Sequence, residues 1–91
     1  MRQEQTDGLV ARFVKDGRLV IMPSKRSKLL PVLGHISQEF EPGRTYLEGE
    51  VDEVLLRYHD DHAALRRHLV DEGFMTRDGG VYWRSGGTVE I

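Results

Sequence analysis

The chain has 91 residues, of which 38% are hydrophobic and 31% are charged. This length fits one domain with a modest core, and the composition is that of a globular protein rather than a disordered one. The absence of cysteine excludes disulfides and thiolate chemistry, and no apolar run approaches the ~20 residues of a membrane span. We therefore expect a single cytoplasmic domain over residues 1–91 without membrane contact, with residues 1–6 and 86–91 loose.

The two halves of the chain differ in charge. Residues 1–43 have a net charge of +2 and residues 44–91 a net charge of −4, within a total of −2. Affinity for nucleic acid depends mainly on neutralising phosphates. The acidic second half therefore argues against strong non-specific binding, and any contact with DNA must depend on where individual arginines lie.

The first elements are short. Asp7 is predicted to cap a helix in which Leu9, Val10, Phe13 and Val14 share one face. Asp16-Gly17 ends that helix, and the run RLVIM over residues 18–22 predicts a strand that stops at Pro23.

A second helix is predicted from Ser24 or Ser27, either of which could cap it, to about Glu41. Pro31 lacks an N–H and crowds the preceding turn, so it fits best if the regular helix begins at Ser27; a start at Lys25 would imply a kink. The predicted apolar stripe of this helix consists of Leu29, Val32, Leu33, Ile36 and Phe40.

Two further helices follow. Thr45 and Glu48 fit a capping box at the start of the third helix, whose apolar positions are Val51, Val54, Leu55 and Tyr58. Asp60 or Asp61 is predicted to cap a fourth helix from His62 to Glu72, with Gly73 just after its end.

A hairpin closes the pattern. The runs Phe74–Arg77 and Val81–Ser85 flank Asp78-Gly79-Gly80, which is a strong turn signal. Of the alternating pair on the second run, we expect Trp83 to face the core and Tyr82 the surface. The order of helix, short strand, three helices and hairpin predicts an α+β winged-helix-like domain, with the short strand able to pair on the wing.

Three segments carry a resemblance to a known family. PSKRSKLLPVL (residues 23–33), FEPGRTYLEGEVDEVL (40–55) and YHDDHAALRRHLVDEGFMTRDGGVYWR (58–84) resemble the uncharacterised prokaryotic family called domain of unknown function 2087. Members occur alone or joined to helix–turn–helix regulators of the ArsR type, so the resemblance implies transcription regulation and supplies no catalytic residue. The stretch from Leu65 to Trp83 is also similar to the recognition helix and wing of ArsR and MarR regulators. Leu47 departs from the threonine that the family favours before the third helix, and Pro31 is unexpected within the second helix.

Four arginines are candidate DNA contacts. Arg66 and Arg67 lie on the outward face of the predicted fourth helix, where a recognition helix meets the major groove. The alternative is a solvated face, or pairing with Asp71 or with an acid on a neighbouring helix. Arg77 and Arg84 bracket the wing, which contacts the DNA backbone in many winged helices, although edge arginines also simply discourage strand pairing.

Two other clusters have weaker functional hypotheses. Lys25, Arg26 and Lys28 could anchor a phosphate, but cations at a helix start are usually solvated. His59 and His62, with two aspartates between them, could ligate a divalent metal. The alternative is that His59 and Asp60 form a buried polar network that fixes the turn between helices, so we expect neither metal nor cofactor.

The pattern favours binding over catalysis. No nucleophile elbow, phosphate loop or catalytic-triad spacing is present, so we do not expect an enzyme. The first hypothesis is a DNA-binding transcription regulator with residues 62–72 as recognition helix, working as a homodimer or with a fused partner. The predicted first helix could supply the dimer contact, although packing against the core explains its apolar face equally well. The second hypothesis is a non-catalytic module that binds a protein partner or a small effector, which the acidic second half favours.

Overall fold

The computed structural model describes residues 10–85. The predicted Asp7 cap, Leu9 and the loose ends over residues 1–6 and 86–91 lie outside this range. Residues 10–13 are helical and form α1. The remaining elements are β1 (Val14–Lys15), β2 (Arg18–Leu19), α2 (Arg26–Ser37), β3 (Thr45–Leu47), α3 (Glu48–Leu56), α4 (His62–Asp71), β4 (Met75–Asp78) and β5 (Val81–Arg84).

The larger sheet has the strand order β3-β5-β4, with both pairs antiparallel. The strand β3 lies between α2 and α3 in the chain and closes onto the β4–β5 hairpin through the pair Tyr46↔Tyr82. The helix α4 contacts both α2 and α3, and α3 and α4 each contact strands of this sheet. The predicted α+β, winged-helix-like fold is therefore confirmed.

The first predicted strand is wrong in extent and in partner. Only Arg18–Leu19 is strand, and it pairs with Val14–Lys15 in a separate two-stranded sheet rather than with the wing. The backbone at Asp16 and Gly17 has φ of 54° and 78°, as a tight two-residue hairpin turn requires. The N–H of Leu19 donates to the carbonyl of Tyr58 at 2.7 Å, so this hairpin is attached to the end of α3. The place beside the wing is taken by β3.

The helix α2 differs from prediction at both ends. It begins at Arg26 after Lys25, which makes no side-chain cap hydrogen bond, so neither predicted serine cap forms. It ends at Ser37 rather than near Glu41, and Pro31 lies inside it. Its apolar stripe packs as predicted at the centre of the core, where the side chains with no exposed surface include Val32, Leu33, Ile36, Val51, Leu55 and Leu65.

The start of α3 is shifted by two residues from the predicted capping box. Thr45 belongs to β3, and the carboxylate of Glu50 accepts the backbone N–H of Leu47 at 2.9 Å. Leu47 has no side-chain acceptor to complete the box. The predicted capping box between Thr45 and Glu48 does not form, because residues 45–47 belong to β3.

The helix α4 begins at His62 as predicted and ends at Asp71, one residue before the predicted Glu72. The Asp61 carboxylate accepts the N–H of Ala64 at 3.3 Å. At the other end Gly73 has φ of 80°, its N–H donates to Val70, and the N–H of Phe74 donates to Leu69. These two bonds form a Schellman motif, which ends the helix and turns the chain into β4.

The wing is a hairpin with Gly79 and Gly80 at its tip, where φ is 60° and 82°. The predicted orientation of its aromatic pair is wrong. Tyr82 is 2% exposed and faces the core, whereas Trp83 is only partly buried. The strand β5 is central, and the face that carries Tyr82 packs against α3.

Across residues 10–85, no helix has the length and apolar character needed to cross a membrane.

Candidate nucleic-acid interface

The recognition-helix position and the wing enclose a cleft of about 250 Å³, which we call the α4–wing cleft. The helix α4 contributes a set of residues spaced as one helical face, and the paired strands β4 and β5 contribute one residue each from directly opposite positions. The lining residues are Ala63, Arg66, Arg67, Val70, Asp71, Arg77 and Tyr82. Three of the four arginines predicted as DNA contacts thus border one concave surface.

Arg67 and Arg77 present free guanidinium groups at this cleft. Both side chains belong to exposed residues, and neither makes an ion pair with any residue in the described part of the chain. The guanidinium of Arg77 lies 6.0 Å from the centre of the Tyr82 ring, which limits where its stem can go but leaves its N–H groups open. These two arginines can therefore bind an anionic group that enters the cleft.

Arg66 has a different role from its neighbour. Its side chain is 22% exposed, its Nη1 donates to Asp52 on α3, and its Nε lies 3.9 Å from Glu48. Burial opposes the charged form, but the hydrogen bond and the two carboxylates outweigh it and raise the pKa of Arg66 above its usual value. Either bidentate edge of the guanidinium includes a nitrogen that faces a carboxylate. The structure thus places Arg66 against an acid of the neighbouring helix, which was the alternative to DNA contact.

Glu48 extends this contact into the wing. The hydroxyl of Tyr82 donates to Glu48 Oε1 at 3.0 Å, and burial together with this bond raises the pKa of Tyr82. A chain of polar contacts thus joins α3, α4 and β5, and it runs from Asp52 through Arg66 and Glu48 to Tyr82. Neither Asp52 nor Glu48 was predicted as a site residue from the sequence. Their spacing of four residues on one helix was the signal, because it puts two carboxylates on the same face.

Arg84 lies apart from the cleft. It pairs with Met75, at the opposite end of the wing from Gly79-Gly80, and its Nη1 donates to the carbonyl of Phe40 at 3.3 Å. This contact attaches the base of the wing to the chain after α2. The two wing arginines therefore do not act on one surface.

The basic cluster at the start of α2 is divided as well. Arg26 donates from Nε to both oxygens of Glu72, at 3.0 and 3.1 Å, which lowers the pKa of Glu72. This ion pair connects the start of α2 to the end of α4. Lys25 and Lys28 are exposed and border a different groove.

The histidines organise the turn before α4. Nδ1 of His59 accepts the N–H of Asp61 at 2.9 Å, and Nε2 of His62 lies 3.8 Å from Asp52. The network is not buried as predicted, since the side chain of Asp60 is 95% exposed and pairs with Arg18 at 3.0 Å. Among the residues that the structure describes, no group of three or more His, Cys, Asp or Glu side chains is placed to hold a metal ion.

Residues 18–84, which include everything that builds the cleft, match the family described as "uncharacterized protein conserved in bacteria (DUF2087)". The chain belongs to the DUF2087 family. Neither a curated protein nor a solved structure matches this DUF2087 chain.

Acidic residues flank the free arginines of the DUF2087 domain. Asp71 lines the cleft, Asp78 follows Arg77 on β4, and the exposed Asp60 and Asp61 precede α4. At the same distance, a carboxylate repels a phosphate as strongly as a guanidinium attracts it. An anionic group at the cleft would therefore be attracted by the two arginines and repelled by these carboxylates.

Proposed function

We propose that this DUF2087 domain is a DNA-binding module of winged helix–turn–helix type that serves transcription regulation. It acts by binding duplex DNA rather than by catalysis. The observation that supports the proposal is the pair Arg67 and Arg77, which border one cleft from α4 and from the wing with no competing ion pair in residues 10–85. Guanidinium groups suit both phosphate oxygens and the guanine edge.

The two arginines take different parts in this proposal. Arg67 projects from α4, whose ten residues span about 15 Å, a length that fits the major groove. Arg77 projects from the wing and contacts a backbone phosphate beside that groove. Arg66 does not contact DNA. It holds α4 against α3 through Asp52, so that α4 keeps one orientation relative to the wing.

Such an interface is small. With two free cations in the cleft, the domain neutralises about two phosphates, which gives a slope near −2 in log K against log salt. Specific sites typically require a larger footprint. The module would therefore work as a homodimer on two half-sites or beside a second DNA-binding unit of a regulator protein.

The test is binding of a labelled mixed-sequence duplex by the full chain, measured over a series of salt concentrations. Arg67→Ala/Arg77→Ala should weaken binding at low salt and reduce the slope by about two. Arg12→Ala/Arg57→Ala removes the same charge from exposed residues outside the cleft and should retain most of the slope. The proposal is wrong if the wild type shows no salt-sensitive binding at low ionic strength, or if both double variants lose affinity equally.

A further inference from the structure

A second concave surface lies where the β1–β2 hairpin meets the start of α2. It has a volume of about 190 Å³ and shares no lining residue with the α4–wing cleft. We call it the α2-start groove. Its lining residues are Phe13, Ile21, Met22, Pro23, Ser24, Lys25 and Lys28.

The groove combines an apolar floor with exposed apolar side chains. Phe13 and Met22 pack against the core, and Pro23 is buried. Ile21 on its wall is 63% exposed, and the adjoining Val20 is 56% exposed. Single exposed hydrophobic residues need no explanation, but a contiguous patch beside a concave surface is typical of an interaction site.

The rim of the groove is cationic. Lys25 and Lys28 are exposed and make no ion pair with the residues that the structure describes. The first turn of α2 contains no acidic residue, and its N-cap residue, Lys25, makes no side-chain cap hydrogen bond. The helix dipole adds to the positive potential at that end. A carboxylate placed there would therefore meet two ammonium groups directly beside an apolar floor.

We propose that the α2-start groove docks a segment of a partner protein that carries an apolar side chain next to a carboxylate. The apolar side chain covers Ile21 and Met22, and the carboxylate lies between Lys25 and Lys28 at the start of α2. This proposal does not depend on DNA binding, because it uses none of the residues of the α4–wing cleft.

Two other occupants fit less well. A two-fold contact between copies of this chain presents the same patch from both sides, so the lysines of each rim would approach the lysines of the other. A nucleic acid would satisfy the lysines but leave Ile21 and Val20 against a charged backbone. The combination of apolar floor and cationic rim is complementary to an acidic, apolar peptide.

The experiment is a selection from a random twelve-residue peptide library displayed on phage. The full chain is the bait, and Ile21→Ser/Lys25→Glu/Lys28→Glu is used for counter-selection. Enriched peptides should contain leucine, isoleucine or phenylalanine close to aspartate or glutamate. A synthetic peptide with the enriched sequence should bind the wild type and lose affinity by about tenfold with Ile21→Ser, as truncation of a buried interface side chain typically does.

Two variants control for general surface effects. Leu47→Ser alters a side chain that is also 63% exposed but lies on β3, and it should leave peptide affinity unchanged. Lys25→Glu/Lys28→Glu should weaken binding and reverse its dependence on salt, because added salt then screens a repulsion, while unfolding midpoints of all variants stay close to that of the wild type. Amide shifts caused by the peptide should fall on residues 20–28.

Several results would overturn the proposal. They are the absence of enrichment relative to the triple variant, enrichment of peptides without acids, or amide shifts centred on α4 and the wing. A dimer in sedimentation equilibrium that Ile21→Ser dissociates would assign the groove to a second copy of the chain instead.

Discussion

Arg66 and Arg67 are adjacent in sequence, yet their surroundings differ completely. Successive residues on a helix differ by about 100° in direction, so Arg66 meets Asp52 on α3 while Arg67 points to solvent beside the wing. A helical pattern identifies both as lying off the apolar stripe, but it cannot show which one meets a neighbouring helix. Arg66 therefore has a structural role, whereas the guanidinium of Arg67 is accessible to a ligand.

This difference predicts that the two arginines contribute unequally to stability. Arg66→Ala should lower the free energy of unfolding by about 1–2 kcal/mol, because it leaves Asp52 partly buried without its partner. Arg67→Ala should change it by less than about 0.5 kcal/mol, as expected for an exposed residue. Urea unfolding of both variants measures the difference.

A double-mutant cycle checks the cause. Asp52→Asn in the Arg66→Ala background should cost much less than Asp52→Asn alone, with a coupling energy of about 1 kcal/mol. Additive losses would show that Arg66 stabilises the domain by packing of its stem rather than through Asp52.

Tyr58 is the residue whose titration the structure predicts most clearly. Its hydroxyl donates to Glu39 at 2.6 Å, and burial and then this carboxylate raise its pKa from 10.0 to about 12. The folded pKa exceeds the unfolded one, so the stabilisation from this group is fully present below pH 10. It is lost as the pH rises from about 10 to about 12.

Glu39→Gln separates the two causes. Burial remains, so the pKa of Tyr58 should fall but stay above its ordinary value. Phenolate absorbance during alkaline titration measures this, with Tyr58→Phe identifying the band that belongs to Tyr58. As a control, Glu48→Gln should lower the pKa of Tyr82 instead and leave that of Tyr58 unchanged. An unaltered Tyr58 titration in Glu39→Gln would contradict the assigned role of the carboxylate.

At the level of elements, the parts that sequence predicted best are those specified by local chemistry. The start of α4 follows from Asp61, its end from Gly73, and the wing turn from Gly79-Gly80. Each of these depends on backbone preferences of the residue itself or on a hydrogen bond within three residues. The apolar stripe of α2 was equally clear, because it repeats over several turns.

The parts that sequence missed depend on contacts between distant segments. Thr45–Leu47 is a strand because Tyr46 pairs with Tyr82, 36 positions later, and nothing local distinguishes it from the first turn of α3. The same pairing decides that Tyr82 rather than Trp83 faces inward. The candidate site shows the same limit. Its arginines were identified by type, but the partners of Arg66, Arg26 and Arg84 lie on other elements.

The turn before α4 offers a matched test of local specification. Asp61→Ala should lower the free energy of unfolding by about 1 kcal/mol, since its carboxylate caps Ala64. Asp60→Ala removes the same charge from the neighbouring residue. It should cost little, because Asp60 is 95% exposed and only forms a surface pair with Arg18.

Thermal or urea unfolding of both variants provides the measurement. Equal losses would mean that the charge near the start of α4, rather than the cap hydrogen bond, stabilises the helix.

On the scale of the whole molecule, the α4–wing cleft and the α2-start groove are separate surfaces that share no lining residue. The α4–wing cleft has two free arginines among carboxylates, and the α2-start groove has two free lysines beside an apolar floor. A polyanion is attracted to the α4–wing cleft only at short range, because the chain as a whole has a net charge of −2. The arrangement would allow DNA and a partner protein to be bound at once. A module that regulates transcription by holding a partner protein on DNA needs such separate binding surfaces.

The acidic residues beside the free arginines lead to the last prediction. Asp71→Asn/Asp78→Asn removes two exposed carboxylates next to Arg67 and Arg77. Each carboxylate opposes a phosphate at the cleft by about 0.5 kcal/mol in water, so this variant should bind duplex DNA about fivefold more tightly at low salt.

Glu41→Gln/Glu53→Gln changes the net charge by the same amount in a separate groove lined by Glu39, Arg44 and Arg57 among others. Because salt screens distant charges, it should alter DNA affinity by less than about twofold. The measurement is a titration of labelled duplex with both variants at two salt concentrations. If the two variants gain affinity equally, net charge rather than the α4–wing cleft controls the interaction, and α4 is not the element that meets the duplex.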